Sequence, residues 1–290
     1  MKLCRFDQDR LGVVIGDQVH DVTDIQTQIR AAAPYDMKGD ALIAALPTWR
    51  SRIEEAAKKA PGKQVSSVKL LAPVARPTKT MAAPTNYGKH IEEMRARTDI
   101  PREQLNRPPN IEKAGIFLKA NSSIVGPSQG IPIRFLDRIN EHEIELVVII
   151  GKQGSDIPKA KAKEYIAGYT LGLDMTCRGG EDRSFRKSID GYSVLGPWLV
   201  TADEIPDPDN VPLSIFVNGE KKQESNTNML IFDCRKLIAW GSTFYTWHPG
   251  DVLFTGTPEG VSPVKPGDTI RAVIPPIGEM TVPVRAHKAE

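Results

Sequence analysis

Two glutamates two positions apart, Glu143 and Glu145, precede the apolar run Leu146-Val147-Val148-Ile149-Ile150-Gly151. Side chains alternate across a strand, so both carboxylates leave the same face. At the mouth of a buried strand such a pair repels itself strongly unless a positive charge stands between them. A second strand-like stretch, Tyr165 to Asp174, ends in another carboxylate. Three converging carboxylates with no Cys or His pair beside them favour a hard divalent cation, Mg²⁺ or Mn²⁺, over zinc. On this pattern alone an edge strand whose glutamates face water remains the competing reading.

Two further groups have chemical potential. His90 and Glu93 are three residues apart, so on a helix they share a face and can form a general base with its orienting carboxylate. The same spacing also describes an ordinary solvated pair. Directly beyond Asp174 the chain turns strongly polar from Met175 to Ser188. Arg178 and Lys187 in that stretch suit anion binding. The alternative is a solvated turn of mixed sign, since Glu181 and Asp182 stand beside Arg183 and Arg186.

The elements that must position these groups are legible in outline. Residues 2–6, 11–16 and 18–23 pattern as short strands, with Gly16-Asp17 as a hairpin signal. Helical patterns follow near Asp24–Ala33 and from Asp40 to about Ala60, before Pro61-Gly62. This predicts a small N-terminal α+β domain over 1–72 and a β-rich catalytic domain over 73–290. His20 stands alone and reads as a structural or surface histidine. Asp99 to Asn110, with Arg102, Arg107 and three prolines, reads as an irregular basic segment, either a cover over a site or a loop. Leu213–Val217 followed by Asn218-Gly219 predicts a type I′ hairpin. Phe232 to Trp247 patterns as one amphipathic helix. Pro-Gly-Asp occurs at Pro249 and again at Pro266, turn chemistry that supports a many-stranded coiled sheet.

Composition narrows the function classes. The 290 residues carry a net charge of +2, 40% hydrophobic and 26% charged residues, with no charged tail. Nothing there points to nucleic acid or an anionic membrane. The first residues bring charge where a signal peptide needs an apolar core, and no apolar run reaches bilayer length. Cys4, Cys177 and Cys234 are odd in number and widely spaced, so they read as reduced thiols of a soluble cytoplasmic protein. Thr255-Gly256-Thr257 lacks the Gly-Lys-Ser/Thr of a phosphate loop, and there is neither GxGxxG nor HExxH.

The ordered set of motifs is more specific than any member. Asn86-Tyr87-x-x-His90-x-x-Glu93 comes first, then Glu143-x-Glu145-Leu146 before a strand ending Gly151-Lys152, then Gly168-Tyr169-Thr170-x-x-x-Asp174. Gly196-Pro197, Asn218-Gly219, Pro-Gly-Asp and Thr255-Gly256-Thr257-Pro258-x-Gly260-Val261 complete it. Over roughly residues 70 to 290 this resembles the fumarylacetoacetate hydrolase family. The resemblance implies a mixed β-roll catalytic domain with a smaller α+β domain, commonly dimeric. It puts Glu143, Glu145 and Asp174 at metal-ligand positions for Mg²⁺ or Mn²⁺. It also puts His90 and Glu93 on a lid helix that activates water, and Lys187 at an oxyanion contact. Arg178, Thr257 and Tyr87 fall among substrate contacts. The implied reaction is hydrolysis of a carbon–carbon bond in an acylpyruvate-like 2,4-diketo acid, in catabolism of aromatic or sugar acids. Oxaloacetate-type decarboxylation or isomerisation of a 2-hydroxy-diene acid could use the same scaffold, and a non-catalytic metal- or ligand-binding protein is the remaining alternative. Two departures bear on the substrate rather than the metal. Glu181 stands where the family has glutamine, which would weaken an oxyanion site unless Arg183 or Arg186 neutralises it, and the Asp174–Lys187 segment is short.

Overall fold

The computed structural model describes residues 1–100 and 111–288. Most of the basic segment expected up to Asn110 lies outside the described residues. The chain opens with a meander of β1 (Lys2–Phe6), β2 (Arg10–Ile15) and β3 (Gln18–Asp21). Helices α1 (Thr23–Ala32) and α2 (Ala41–Lys59) follow. Asp40 caps α2, its Oδ1 accepting the N–H groups of Leu42 and Ile43 at 3.0 and 3.3 Å. Short strands β4 (Gly62–Gln64), β5 (Leu70–Leu71) and β6 (Thr80–Ala82) lead to α3 (Gly88–Ala96). Then come β7 (Phe117–Lys119), β8 (Ile124–Val125), β9 (Ile131–Ile133) and β10 (Asn140–Glu141). The central pair is β11 (Ile144–Ile150) and β12 (Ile166–Asp174), followed by β13 (Thr176–Cys177), α4 (Arg183–Arg186) and β14 (Ser193–Thr201). The chain finishes with β15 (Pro212–Val217), β16 (Glu220–Asn226), α5 (Cys234–Gly241), β17 (Val252–Phe254), β18 (Thr269–Ile274) and β19 (Gly278–Ala286).

The main sheet runs β4-β3-β2-β1-β14-β12-β11-β17-β6-β7, with β5 beside β1 and β8 beside β14. A second sheet runs β16-β15-β18-β19-β9, and β10 pairs with β13. The whole is a strand-rich α+β fold. Every residue of β11 is buried, which only a strand covered on both faces requires. Its even positions Ile144, Leu146, Val148 and Ile150 pack with Ile215, Ile270 and Val282 of the second sheet. Val147 and Ile149 face the other way, onto Ile43, Leu46 and Ile53 of α2. At roughly 1.5–3 kcal/mol for each fully buried aliphatic side chain, this strand can hold costly acidic groups at its end. The first strand pairs β14 directly, Lys2 opposite Val200 and Leu3 opposite Leu199, so the N-terminal segment enters the sheet that carries the site.

Local turn chemistry follows the residues. Asn218 and Gly219, at φ 51° and 86°, make the β15–β16 turn, both with the positive φ that a type I′ turn demands. In the two Pro-Gly-Asp turns, Asp251 Oδ2 accepts from His248 N and Asp268 Oδ2 from Lys265 N, each at 2.8 Å. The expected helix from Phe232 to Trp247 is shorter, covering only Cys234–Gly241. Asp233 starts it late by accepting from Lys236 N at 2.6 Å, and the fully buried Trp247 folds back beneath Gly241, where a Cβ would lie 2.8 Å from its ring. Among the described residues no helix is long and apolar enough to cross a membrane.

Candidate active site and metal centre

The acidic triad is a product of strand register. Glu145 pairs with Gly172 across β11 and β12, and Asp174 N donates to Glu143 O at 2.9 Å, so Glu143 faces Asp174. Position 172 has no room for a side chain: a Cβ there would lie 2.4 Å from Val147 Cγ2 and 2.6 Å from the Phe254 ring. One oxygen from each of Glu143, Glu145 and Asp174 lies within 4.8 Å of the others, and all three residues are buried. They point together, as a shared cation requires, and not into solvent.

Lysines occupy part of the space such charges create. Lys187 Nζ donates to Glu143 Oε2 and Asp174 Oδ2, both at 2.6 Å. Lys119, fully buried on β7, ion-pairs with Asp174 and donates to Lys187 O at 2.6 Å. Thr176 Oγ1 donates to the other oxygen of Glu143 at 2.9 Å. Burial works against the charge on Glu143, but Lys187 and Arg178 overcome it and hold the carboxyl well below the usual carboxylate range. Glu145 is the opposite case. Burial first, then repulsion from Asp174 and Glu143, pushes it well above that range. Its polar contact is Gly256 N, donating at 2.6 Å. Glu145 alone of the three has no ion-pair partner among the described residues, and it is driven toward its protonated form. A hard divalent cation fits this donor set, which is all-oxygen and converging.

Gly256 needs its residue type. It sits at φ 107°, and a Cβ there would meet Asn86 Cβ at 2.7 Å. Asn86 in turn clasps the strand ends around the site. Its Nδ2 donates to Thr255 O and Phe232 O at 2.7 and 2.9 Å, and its Oδ1 accepts from Phe232 N at 2.8 Å. Two residues later α3 begins, carrying His90 and Glu93 over the triad. His90 Nδ1 lies 3.0 Å from Glu93 Oε2, while Glu93 Oε1 accepts from Gly260 N at 2.9 Å. The ring is thereby oriented with Nε2 left for chemistry. Between α3 and the triad lies a small cleft of about 100 Å³ that opens to solvent on one side.

The other expected contacts divide. Arg178, Lys187 and Thr257 line the cleft with His90 and the triad. Arg178 is already engaged: its Nε donates to Glu141 Oε2 at 2.5 Å, and its Nη2 lies 3.6 Å from Glu143 Oε1. Thr257 Oγ1 accepts from Gln223 Nε2 at 2.9 Å, which fixes the loop against β16. Glu93 acts on the cleft through His90. Tyr87 does not line it: the residue is buried, its backbone bridges Leu230, and burial pushes its hydroxyl up. Glu181 is neutralised chiefly by Arg138, with a weaker attraction from Arg186. Arg138 takes it bidentately at 2.9 and 2.8 Å, away from the cleft, so the acid that replaces glutamine is no obstacle to an oxyanion. Sequence reasoning also took GxSxG to be absent, whereas Gly126-Pro127-Ser128-Gln129-Gly130 spells it; Ser128 Oγ accepts from Leu70 N at 2.9 Å and lies outside the cleft.

Sequence reasoning missed Lys119 and Glu141. Glu141 is fully buried and braces two arginines, taking Arg97 Nη1 at 2.6 Å as well as Arg178. Its parity with Glu143 and Glu145 was the available signal. Lys119 gave only a lysine ending a strand pattern.

Comparison with known proteins gives this geometry a context. The family model for the fumarylacetoacetate (FAA) hydrolase C-terminal region matches residues 79–285. A maleylpyruvate hydrolase of Aquipseudomonas alcaligenes is 48% identical over 287 residues, covering 99% of this chain and 100% of that protein. The mitochondrial oxaloacetate tautomerase Fahd2a of Rattus norvegicus is 39% identical over 225 residues, 73% of this chain and 68% of that one. The crystal structure of maleylpyruvate hydrolase from Sphingobium sp. SYK-6, in complex with manganese(II) and pyruvate, is similar at a TM-score of 0.84 and 37% identity, covering 99% of this chain and 100% of that one. The chain belongs to the fumarylacetoacetate hydrolase family.

Proposed function

We propose that the protein is a divalent-metal-dependent hydrolase that cleaves the carbon–carbon bond of an acylpyruvate, with maleylpyruvate the first substrate to test. The observation that carries this reading is the His90–Glu93 pair facing the acidic triad across one cleft. Glu143, Glu145 and Asp174 would hold the cation. When bound, it supplies a positive centre that orients a 2-oxo acid and lowers the cost of negative charge on its oxygens.

The chain's own groups supply the rest. Glu93 accepts the Nδ1 proton of His90, so Nε2 can take a proton from water as that water adds to the acyl carbonyl. Lys187 has three donors, two of them used by Glu143 and Asp174, which leaves one for the developing oxyanion. The bond to the pyruvate methylene then breaks, and that carbon takes up a proton. One water is consumed, and a carboxylic acid and pyruvate leave. Tautomerisation or decarboxylation of an oxaloacetate-type acid needs no attacking water, so the water-activating pair favours hydrolysis.

Mn²⁺ and Mg²⁺ both suit three carboxylates, and the manganese in the related structure supports Mn²⁺. Three buried free cysteines fit a cytoplasmic setting. Exposed Leu118, Phe135 and Phe185 along one surface groove support a homodimer, which light scattering would reject by returning the monomer mass. The deciding experiment follows pyruvate release from maleylpyruvate, acetylpyruvate and oxaloacetate with Mn²⁺, Mg²⁺ or EDTA. Turnover that survives complete chelation, or no turnover of either acylpyruvate, ends this proposal.

A further inference from the structure

We infer that Arg183 binds a second carboxylate at the far end of the acyl arm and so selects acylpyruvates that are dicarboxylic acids. This rests on the acylpyruvate reading above. The other cations of the cleft are occupied or placed elsewhere. Lys187 serves Glu143 and Asp174, Arg178 serves Glu141, Arg186 donates to Cys177 O at 3.4 Å, and Arg95 is exposed at the rim. Arg183 differs. Its side chain lines the cleft, its Nη1 is sealed from solvent, and among the described residues that nitrogen has no hydrogen-bond partner. The acid nearest in sequence, Asp182, turns its carboxylate to Ser184 N at 2.7 Å as the cap of α4, and Glu181 is taken by Arg138.

A guanidinium nitrogen sealed from water with its donors unused costs free energy. Burial and the neighbouring Arg186 both work against its charge. An anion arriving with the substrate would satisfy it, and the planar fork suits a carboxylate. The ring of Phe117, another cleft residue, lies 5.6 Å from the guanidinium carbon and flanks it with apolar surface. Arg183 lines the same cleft as Glu143 and Asp174 and is within Coulombic reach of both, so one substrate can extend from the triad to the guanidinium. A molecule with an anionic group at each end, such as maleylpyruvate, engages both. Acetylpyruvate, whose acyl arm is uncharged, engages one.

The test compares KM and kcat for maleylpyruvate and acetylpyruvate in the wild type, Arg183→Leu and Arg183→Lys, with melting curves as a control for folding. The expected result in Arg183→Leu is a KM for maleylpyruvate raised about 10-fold or more, with kcat less affected and Arg183→Lys in between. The KM for acetylpyruvate moves by less than about 2-fold, since that substrate never used the contact. Equal losses on both substrates would assign Arg183 to the pyruvate end or to structure, and no loss on either would remove it from recognition. Both overturn the inference. Should the variants not fold, the wild type alone decides: the acyl-arm methyl ester of maleylpyruvate should show a KM about 10-fold above the diacid, and equal values refute the contact. Wild-type turnover of acetylpyruvate tests the acylpyruvate reading separately.

Discussion

Glu141→Gln probes the brace behind the cleft. The carboxylate is fully buried and receives Arg178 Nε at 2.5 Å and Arg97 Nη1 at 2.6 Å. The amide keeps the shape, removes the charge, and turns an NH₂ group toward guanidinium donors. Taking one partner from a buried ion pair costs about 3–5 kcal/mol. Here the lower end applies, because Arg97 is 14% exposed and keeps Asp99 at 2.6 Å. A loss of about 3 kcal/mol is a large share of the ~5–15 kcal/mol that stabilises an ordinary domain. Arg97→Met should cost less, about 1–2 kcal/mol, since Arg178 still satisfies Glu141. Adding Arg97→Met to Glu141→Gln should then cost little more, a coupling of about 1 kcal/mol in a double-mutant cycle. Urea titration reads each value as a midpoint shift at constant slope. Because Arg97 follows directly on α3, the Gln variant should also lower kcat by loosening the helix that carries His90. A Gln variant within about 0.5 kcal/mol of wild type, or a strictly additive cycle, would refute the brace.

Other outcomes follow from the same geometry. His90→Ala should slow pyruvate release about 10²–10⁴-fold while leaving the melting temperature unchanged, and unaltered turnover would remove the base from the mechanism. Glu145 is driven toward its neutral form without a cation, so Glu145→Gln should leave metal-free stability nearly intact. It should also abolish the rise in melting temperature on adding Mn²⁺, a rise worth about 2.7 kcal/mol at 100 times Kd. Burial pushes the Cys4 thiol up to about 12 and raises Cys177 and Cys234 as well, so native protein should resist iodoacetamide at pH 8 until denaturant is added. The Arg50 guanidinium holds Asp203 below its ordinary value, so this stabilising contribution is complete above about pH 4 and drains away as pH falls through the depressed value. Asp203→Asn should flatten that part of the acid stability curve, and an unchanged curve would remove the pair from the account.

What the sequence made legible was whatever depends on short range. Period-two alternation put Glu143 and Glu145 on one face, and two strands each ending in acid implied their meeting with Asp174. The His90–Glu93 spacing needed only one turn of helix. Partners distant in the chain stayed hidden. Lys119 matters because β7 brings it beside Asp174, 55 positions on. Glu141 looked like one more strand glutamate until Arg97 and Arg178 closed on it. Glu181 finds Arg138 across 43 positions, where sequence reasoning looked to its immediate neighbours. The helix expected to Trp247 failed because periodicity cannot see an indole tucked beneath Gly241.

The pairing of β1 with β14 has a practical consequence. β14 flanks β12, whose last residue is Asp174, so the opening residues of the chain shield a backbone ladder only one strand from the acidic cluster. Trimming the protein to its family-model region would strip that cover and leave exposed N–H and C=O groups seeking another molecule. Such a fragment should sediment as aggregates, whereas adding a peptide spanning the lost meander should return it to solution.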